Sequence, residues 1–183
     1  MNANEKRKLG HTDVELTQFG FGAASLGEIF ALVSEEDTLS TLQTLWKHGV
    51  RYIDTAPFYG FGLSEHRVGS FLSQQPRQEF VLSTKVGRVL KAPKVKAGFK
   101  APFFLGGLPF DYVFDYTYDG IMRSFEDSLQ RLRLNSIDLL LIHDLEFGHH
   151  GAKLQTYRDQ FSDSGWRAVE RLRSTGEVRA IGA

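Results

Sequence analysis

Ile137-Asp138-Leu139-Leu140-Leu141-Ile142 is an apolar run, broken by one acid, that ends on the imidazole of His143. Two other runs have the same form. Val50-Arg51-Tyr52-Ile53 leads into Asp54, and Phe80-Val81-Leu82-Ser83-Thr84 leads into Lys85. Runs this short and this rich in Val, Ile and Leu read as strands buried on both faces of a parallel sheet. Tyr59 follows Asp54 closely, in a loop marked by proline and glycine. In a closed α/β barrel the strands all point one way and chemistry gathers at their C-terminal ends. An acid, a phenol, an amine and an imidazole would then meet at one mouth, which makes Asp54, Tyr59, Lys85 and His143 the candidate catalytic residues.

The rest of the chain alternates in the same manner. Lys8-Leu9 and Val14–Thr17 flank a turn at Gly10–Asp13 and predict an opening hairpin. Phe19–Ala23 reads as the first barrel strand. Ser34 is placed to cap a helix whose first turn is Glu35, Glu36 and Asp37 and whose stripe is Leu39, Leu42, Leu45 and Trp46. A second helix starts at Ser64-Glu65, a third carries Ile121, Phe125, Leu129 and Leu132, and a fourth runs from about Ser164 to Ser174. Val178–Ala183 reads as a fifth strand. Between Val86 and Tyr116, repeated Gly and Pro predict a long irregular loop, of the kind that forms a lid. This pattern gives the α/β class with βα units. Spacing leaves a closed barrel and an open doubly wound sheet both standing.

Composition narrows the function. The 183 residues carry zero net charge and no cysteine, with 42% hydrophobic residues. That argues against nucleic-acid partners and excludes disulfides and cysteine-ligated metals. The N-terminal Met1–Lys8 segment has no apolar stretch behind its charges, and no run approaches the roughly 20 apolar residues that span a bilayer. A cytoplasmic protein with no membrane partner is expected. His149-His150, between glycines, reads as a solvated loop rather than a metal site. Lys91, Lys94, Lys96 and Lys100, with Phe99, Phe103 and Phe104 nearby, read as a solvated lid. Gly20–Gly27 lacks the spacing of a dinucleotide fingerprint.

Five segments together resemble the aldo-keto reductase superfamily: Phe19–Ser25, Tyr52–Gly60, Leu82–Lys85, Ser124–Leu132 and Ile137–His143. Gly60–Glu65 and Asp115–Ser124 are most similar to the branch of aldose, fucose and galactose dehydrogenases and pyridoxal 4-dehydrogenase. The resemblance implies a (β/α)8 TIM barrel, of which about the first five βα units are present, and NADP or NAD as cofactor without a metal. It places Asp54, Tyr59, Lys85 and His143 at the four positions of the family's catalytic tetrad. The residue types suit that chemistry. Hydride transfer to a carbonyl leaves negative charge on oxygen, and Tyr59 would be its general acid. A free phenol titrates near about pH 10. A neighbouring ammonium favours phenolate, so Lys85 would bring the proton transfer within reach, with Asp54 holding the amine. His143 would orient the substrate oxygen.

Gly22, Ala23, Ala24 and Asp54 are the expected cofactor neighbours. The substrate would be a small aldehyde, ketone or sugar. (β/α)8 barrels usually need about 250 residues, so a single domain over 1–183 is expected to be C-terminally truncated. Its open sheet edges would favour self-association. A truncated inactive fragment, or a non-enzymatic regulatory or binding protein related to the family, is the alternative reading.

Overall fold

The computed structural model describes residues 4–94 and 102–183. The chain opens with a hairpin of β1 (Lys6–Lys8) and β2 (Glu15–Thr17). The centre of the fold is a parallel sheet of β3 (Gly20–Gly22), β4 (Tyr52–Asp54), β5 (Val81–Val86), β8 (Ile137–Ile142) and β9 (Val178–Gly182). Its order is β3-β4-β5-β8-β9, so the five barrel strands expected from the sequence are present and pair in chain order. Val14 and Leu16 from the hairpin pack with Leu139, Ala180, Tyr52 and Val81, closing the end of the sheet where Tyr52 and Val81 begin their strands. The opposite end, where the strands finish, carries the polar residues.

Helices cover the other face. In α1 (Glu35–Lys47) the Ser34 hydroxyl accepts from Asp37 N at 3.0 Å, as the sequence predicts for an N-cap. Helix α2 (Leu63–Leu72) buries Val68 and Leu72, and α3 (Tyr118–Leu132) buries Ile121, Phe125 and Leu132. These side chains join Ile53, Leu82, Val86, Leu140 and Val178 of the sheet in one core. That is the two-layer solution by which a helix stripe and a sheet face bury each other. Leu39 is the exception on α1: it stays exposed, whereas Leu42 is fully buried and Leu45 and Trp46 pack half-buried against the core.

Three segments differ from expectation. The Val86–Tyr116 stretch is not irregular throughout. Arg88–Lys91 forms β6 and pairs antiparallel with β7 (Asp111–Phe114), with Arg88 opposite Phe114 and Leu90 opposite Tyr112. Alternation over four residues is too short to stand out against the surrounding Gly and Pro. The described residues leading into β7 are held by backbone hydrogen bonds: Leu105 N donates to Glu28 O at 2.9 Å and Leu108 N to Gly60 O at 2.9 Å. Phe104 is buried, while Phe103 is exposed. Lys96, Phe99 and Lys100 lie outside the described residues.

The last helix starts well before Ser164. A short α4 (Phe147–His150) leads to α5 (Leu154–Gln160), which continues through a π-helical turn at Phe161–Gly165 into α6 (Trp166–Ser174). Its early part is polar and lacks a buried stripe, so periodicity gives no signal there. His150 is not in a solvated loop; it is buried, and its Nε2 lies 3.0 Å from the Tyr116 hydroxyl. Among the described residues no helix is long and apolar enough to cross a membrane.

Candidate active site

Strand register brings the polar ends together. Gly22 of β3 stands opposite Asp54 of β4, and Asp54 opposite Ser83 of β5. Side chains alternate along a strand, so Ser83 and Lys85 share a face. Lys85 is nearly buried, and its Nζ donates to Asp54 Oδ2 at 2.6 Å and to the Thr55 carbonyl at 2.8 Å. The second Asp54 oxygen accepts from Ser83 Oγ at 2.6 Å, and Ser83 Oγ is 3.1 Å from the Tyr52 hydroxyl. A buried ammonium needs such partners to remain charged.

Tyr59 comes from the loop after β4. Its amide donates to Ala56 O at 3.1 Å. A 3-10 turn at Ala23–Gly27 lies against it. A Cβ on Gly27 would stand 2.5 Å from the Tyr59 carbonyl carbon and 2.6 Å from Gly60 N, so a glycine is needed for the turn to press on the tyrosine loop. The Lys85 ammonium lies 4.7 Å from the Tyr59 ring centroid. The His143 ring meets the Tyr59 ring edge-on, with centroids 5.9 Å apart at 89°. All four tetrad candidates therefore converge.

His143 follows β8, and its amide donates to Val86 O at 3.0 Å. Burial first, then the Arg88 guanidinium and the Lys85 ammonium, push its pKa down from 6.5 to about 3, against a smaller opposing pull from Asp144. The ring is neutral at any ordinary pH. Its Nε2 lies 3.3 Å from Asp144 Oδ2. The same carboxylate oxygen accepts from Arg88 Nη2 at 2.8 Å. Burial opposes ionisation of Asp144, but the Arg88 guanidinium, which donates to it and carries the compensating charge, favours the carboxylate, and its pKa lies below the usual range. The Tyr116 hydroxyl donates to the His143 carbonyl at 2.7 Å, and burial raises that phenol well above its ordinary pKa.

The other expected positions flank this cluster. Gly22 ends β3 beside Asp54, and a Cβ added there would have nothing within 4 Å. Ala23 is buried and its carbonyl accepts from Ser64 Oγ at 2.7 Å, while Ala24 is half-buried. Gly22 therefore leaves open space beside Asp54. That space, beside the polar groups of Asp54 and Lys85, is chemically compatible with a flat ring of the nicotinamide kind.

A model of the Aldo/keto reductase family matches residues 18–183. The chain belongs to the aldo/keto reductase family. Its parallel sheet is part of the (β/α)8 fold of that family. Among curated relatives, the pyridoxal 4-dehydrogenase of Microbacterium luteolum is 40% identical over 191 aligned positions, covering 100% of this chain and 56% of that protein. The D-threo-aldose 1-dehydrogenase of a Pseudomonas species is 39% identical over 173, covering 89% and 48%. A solved aldo-keto reductase of Bacillus halodurans, in holo form, superposes with a TM-score of 0.71 at 29% identity, over 97% of this chain and 49% of that one. The chain spans about half the length of the curated relatives it matches.

Several residues of this cluster carry no direct signal in the sequence. Ser83 and Thr55 complete the Lys85–Asp54 pair. Asp144 and Tyr116 contact His143, Arg88 holds Asp144 against it, and His150 in turn meets Tyr116. Asp144 follows His143 directly and Arg88 follows Lys85 by three residues, so proximity to the strand ends was the available signal. Nothing in the sequence marked Tyr116 as a partner of His150.

Proposed function

We propose that the protein is an NAD(P)-dependent oxidoreductase of the aldose dehydrogenase kind, acting on a small aldehyde, ketone or sugar. Asp54, Tyr59, Lys85 and His143 are its catalytic residues, and Gly22, Ala23, Ala24 and Asp54 flank the cofactor. The observation that carries this reading is the placement of Lys85, 2.6 Å from Asp54 and 4.7 Å from the centre of the Tyr59 ring, with His143 against the same ring.

A bound nicotinamide supplies or accepts the hydride. The residues handle the proton and the charge. Tyr59 gives its hydroxyl proton to the carbonyl oxygen as negative charge grows there, and takes it back in the oxidative direction. Lys85 sets a fixed positive charge beside that ring, and Asp54, Thr55 and Ser83 keep it in place. A neutral His143 offers the substrate a hydrogen bond without adding a second cation. The names of the relatives, a pyridoxal and an aldose dehydrogenase, support a small carbonyl or sugar as substrate. A cysteine-free composition suits the reducing cytoplasm.

The test is nicotinamide absorbance, with NAD and NADP in turn, against a panel of aldoses, aldehydes and ketones. The expected result is turnover with at least one substrate and a preference between the two cofactors. Absence of both turnover and nicotinamide binding across the panel contradicts the proposal.

A further inference from the structure

Arg88 is an unusual residue to find in a core. It is 2% exposed, although it opens a strand in the stretch whose glycines and prolines suggested a loop. Its guanidinium carbon lies 4.5 Å from the centre of Phe58 and 4.9 Å from that of Phe114, with Tyr112 at 5.8 Å. Ring faces thus cover the cation. Its Nε and Nη1 have no hydrogen-bond partner among the described residues, and Nη2 makes the ion pair to Asp144. Asp144 itself takes a left-handed conformation, φ 50°, which aims its carboxylate back at the Arg88 and His143 side chains.

We infer that Arg88 and Asp144 act as a pair of positioning residues that hold the His143 ring in place and in its uncharged form. The oxygen nearest His143 Nε2 is the same Asp144 oxygen that Arg88 holds. An unpaired carboxylate there would draw a proton onto the imidazole. With Arg88 in place its charge is already compensated, so it orients the ring without charging it.

The other groups facing the ring do not reverse this balance. Lys85 on β5 is cationic and already paired with Asp54. His149 on α4 lies 3.4 Å from the same Asp144 oxygen. Tyr59 meets the ring edge-on, and the Tyr116 hydroxyl reaches only the His143 carbonyl. The inference deepens the proposed role of His143 and rests on that reading for its meaning in catalysis. The charge state itself can be measured without turnover.

The experiment is an NMR titration of the His143 ring in four proteins and one conservative control. In the wild type no titration is expected between pH 5 and 8. In Arg88→Met, the uncompensated Asp144 charge raises the midpoint by about 2–3 pH units, so that the ring titrates in the acid part of this window. In Asp144→Asn the ring stays silent, and in the double variant silence returns. Arg88→Lys, which keeps the charge, restores most of the wild-type behaviour and guards against a packing effect. A folded Arg88→Met protein whose His143 midpoint does not move, or a double variant that titrates like the single one, overturns the inference. Titrations that shift as expected in a wild-type protein without turnover would instead count against the proposed reaction.

Discussion

The Lys85 ammonium and the Asp54 carboxylate meet at 2.6 Å across adjacent parallel strands, thirty-one positions apart in the chain. Neither is left with that one contact. Lys85 also reaches the Thr55 carbonyl, and Asp54 also receives the Ser83 hydroxyl. The pair is a fixed charge whose geometry comes from strand register rather than from flexible side chains. That is the arrangement a site needs to stabilise charge without reorganising.

Acid should weaken the fold through His143. The folded ring binds its proton only near pH 3, whereas the unfolded ring binds it near 6.5. Between those values the unfolded chain holds more protons, so stability is full above about 6.5 and falls as pH drops toward 3. Urea unfolding at about pH 7.5 and about pH 5 is expected to show this loss in the wild type and a smaller loss in His143→Gln. An equal loss in both would assign the effect to other groups.

Gly27→Ala is expected to cost about 1–3 kcal/mol, because the added carbon overpacks the Tyr59–Gly60 peptide. Gly22→Ala, with open space around the new carbon, should leave stability nearly unchanged but weaken nicotinamide binding. Thermal melts of the two variants, with a fluorescence titration of the reduced cofactor, separate these outcomes. Equal melting temperatures would show that the turn does not press on the tyrosine loop.

Behind Lys85 lies a second buried charge. Glu65 is fully buried; it accepts from Thr84 Oγ1 at 2.6 Å and from Arg131 Nε at 2.6 Å, tying β5 to α2 and α3. Arg131→Met leaves that carboxylate uncompensated and is expected to cost about 3–5 kcal/mol. Exposed Arg173, paired with Glu170 on the surface, should be replaceable with little effect. Chemical denaturation of the two variants checks the contrast.

Within the described residues, β3 and β9 each have one neighbour in the sheet. Unpaired strand edges invite further pairing. Sedimentation of the chain over a range of concentrations is expected to show self-association. A compact monomer at every concentration would contradict this.

Much of the fold and the four converging side chains were legible because each signal was local. Apolar runs such as Leu139–Ile142 declare buried strands, and the polar residue that stops each run marks its end. Ser34 announced its helix by capping chemistry. What stayed hidden depends on distance. The β6–β7 hairpin joins segments separated by a long loop, and its strands are too short for alternation to register. Nothing local marks Arg88 as buried, because Phe58 and Phe114, which enclose it, come from two different segments. His150 looked like part of a glycine loop because its partner, Tyr116, lies thirty-four residues away.

In the proposed reaction Tyr59 passes the proton while its neighbours hold the charge. Turnover of Tyr59→Phe, followed by nicotinamide absorbance and set beside its circular dichroism spectrum, bears on that step alone. The expected result is a fold and a cofactor affinity like those of the wild type, with turnover reduced by about 10²-fold or more. A folded Tyr59→Phe protein that turns over at the wild-type rate would remove the phenol from the mechanism.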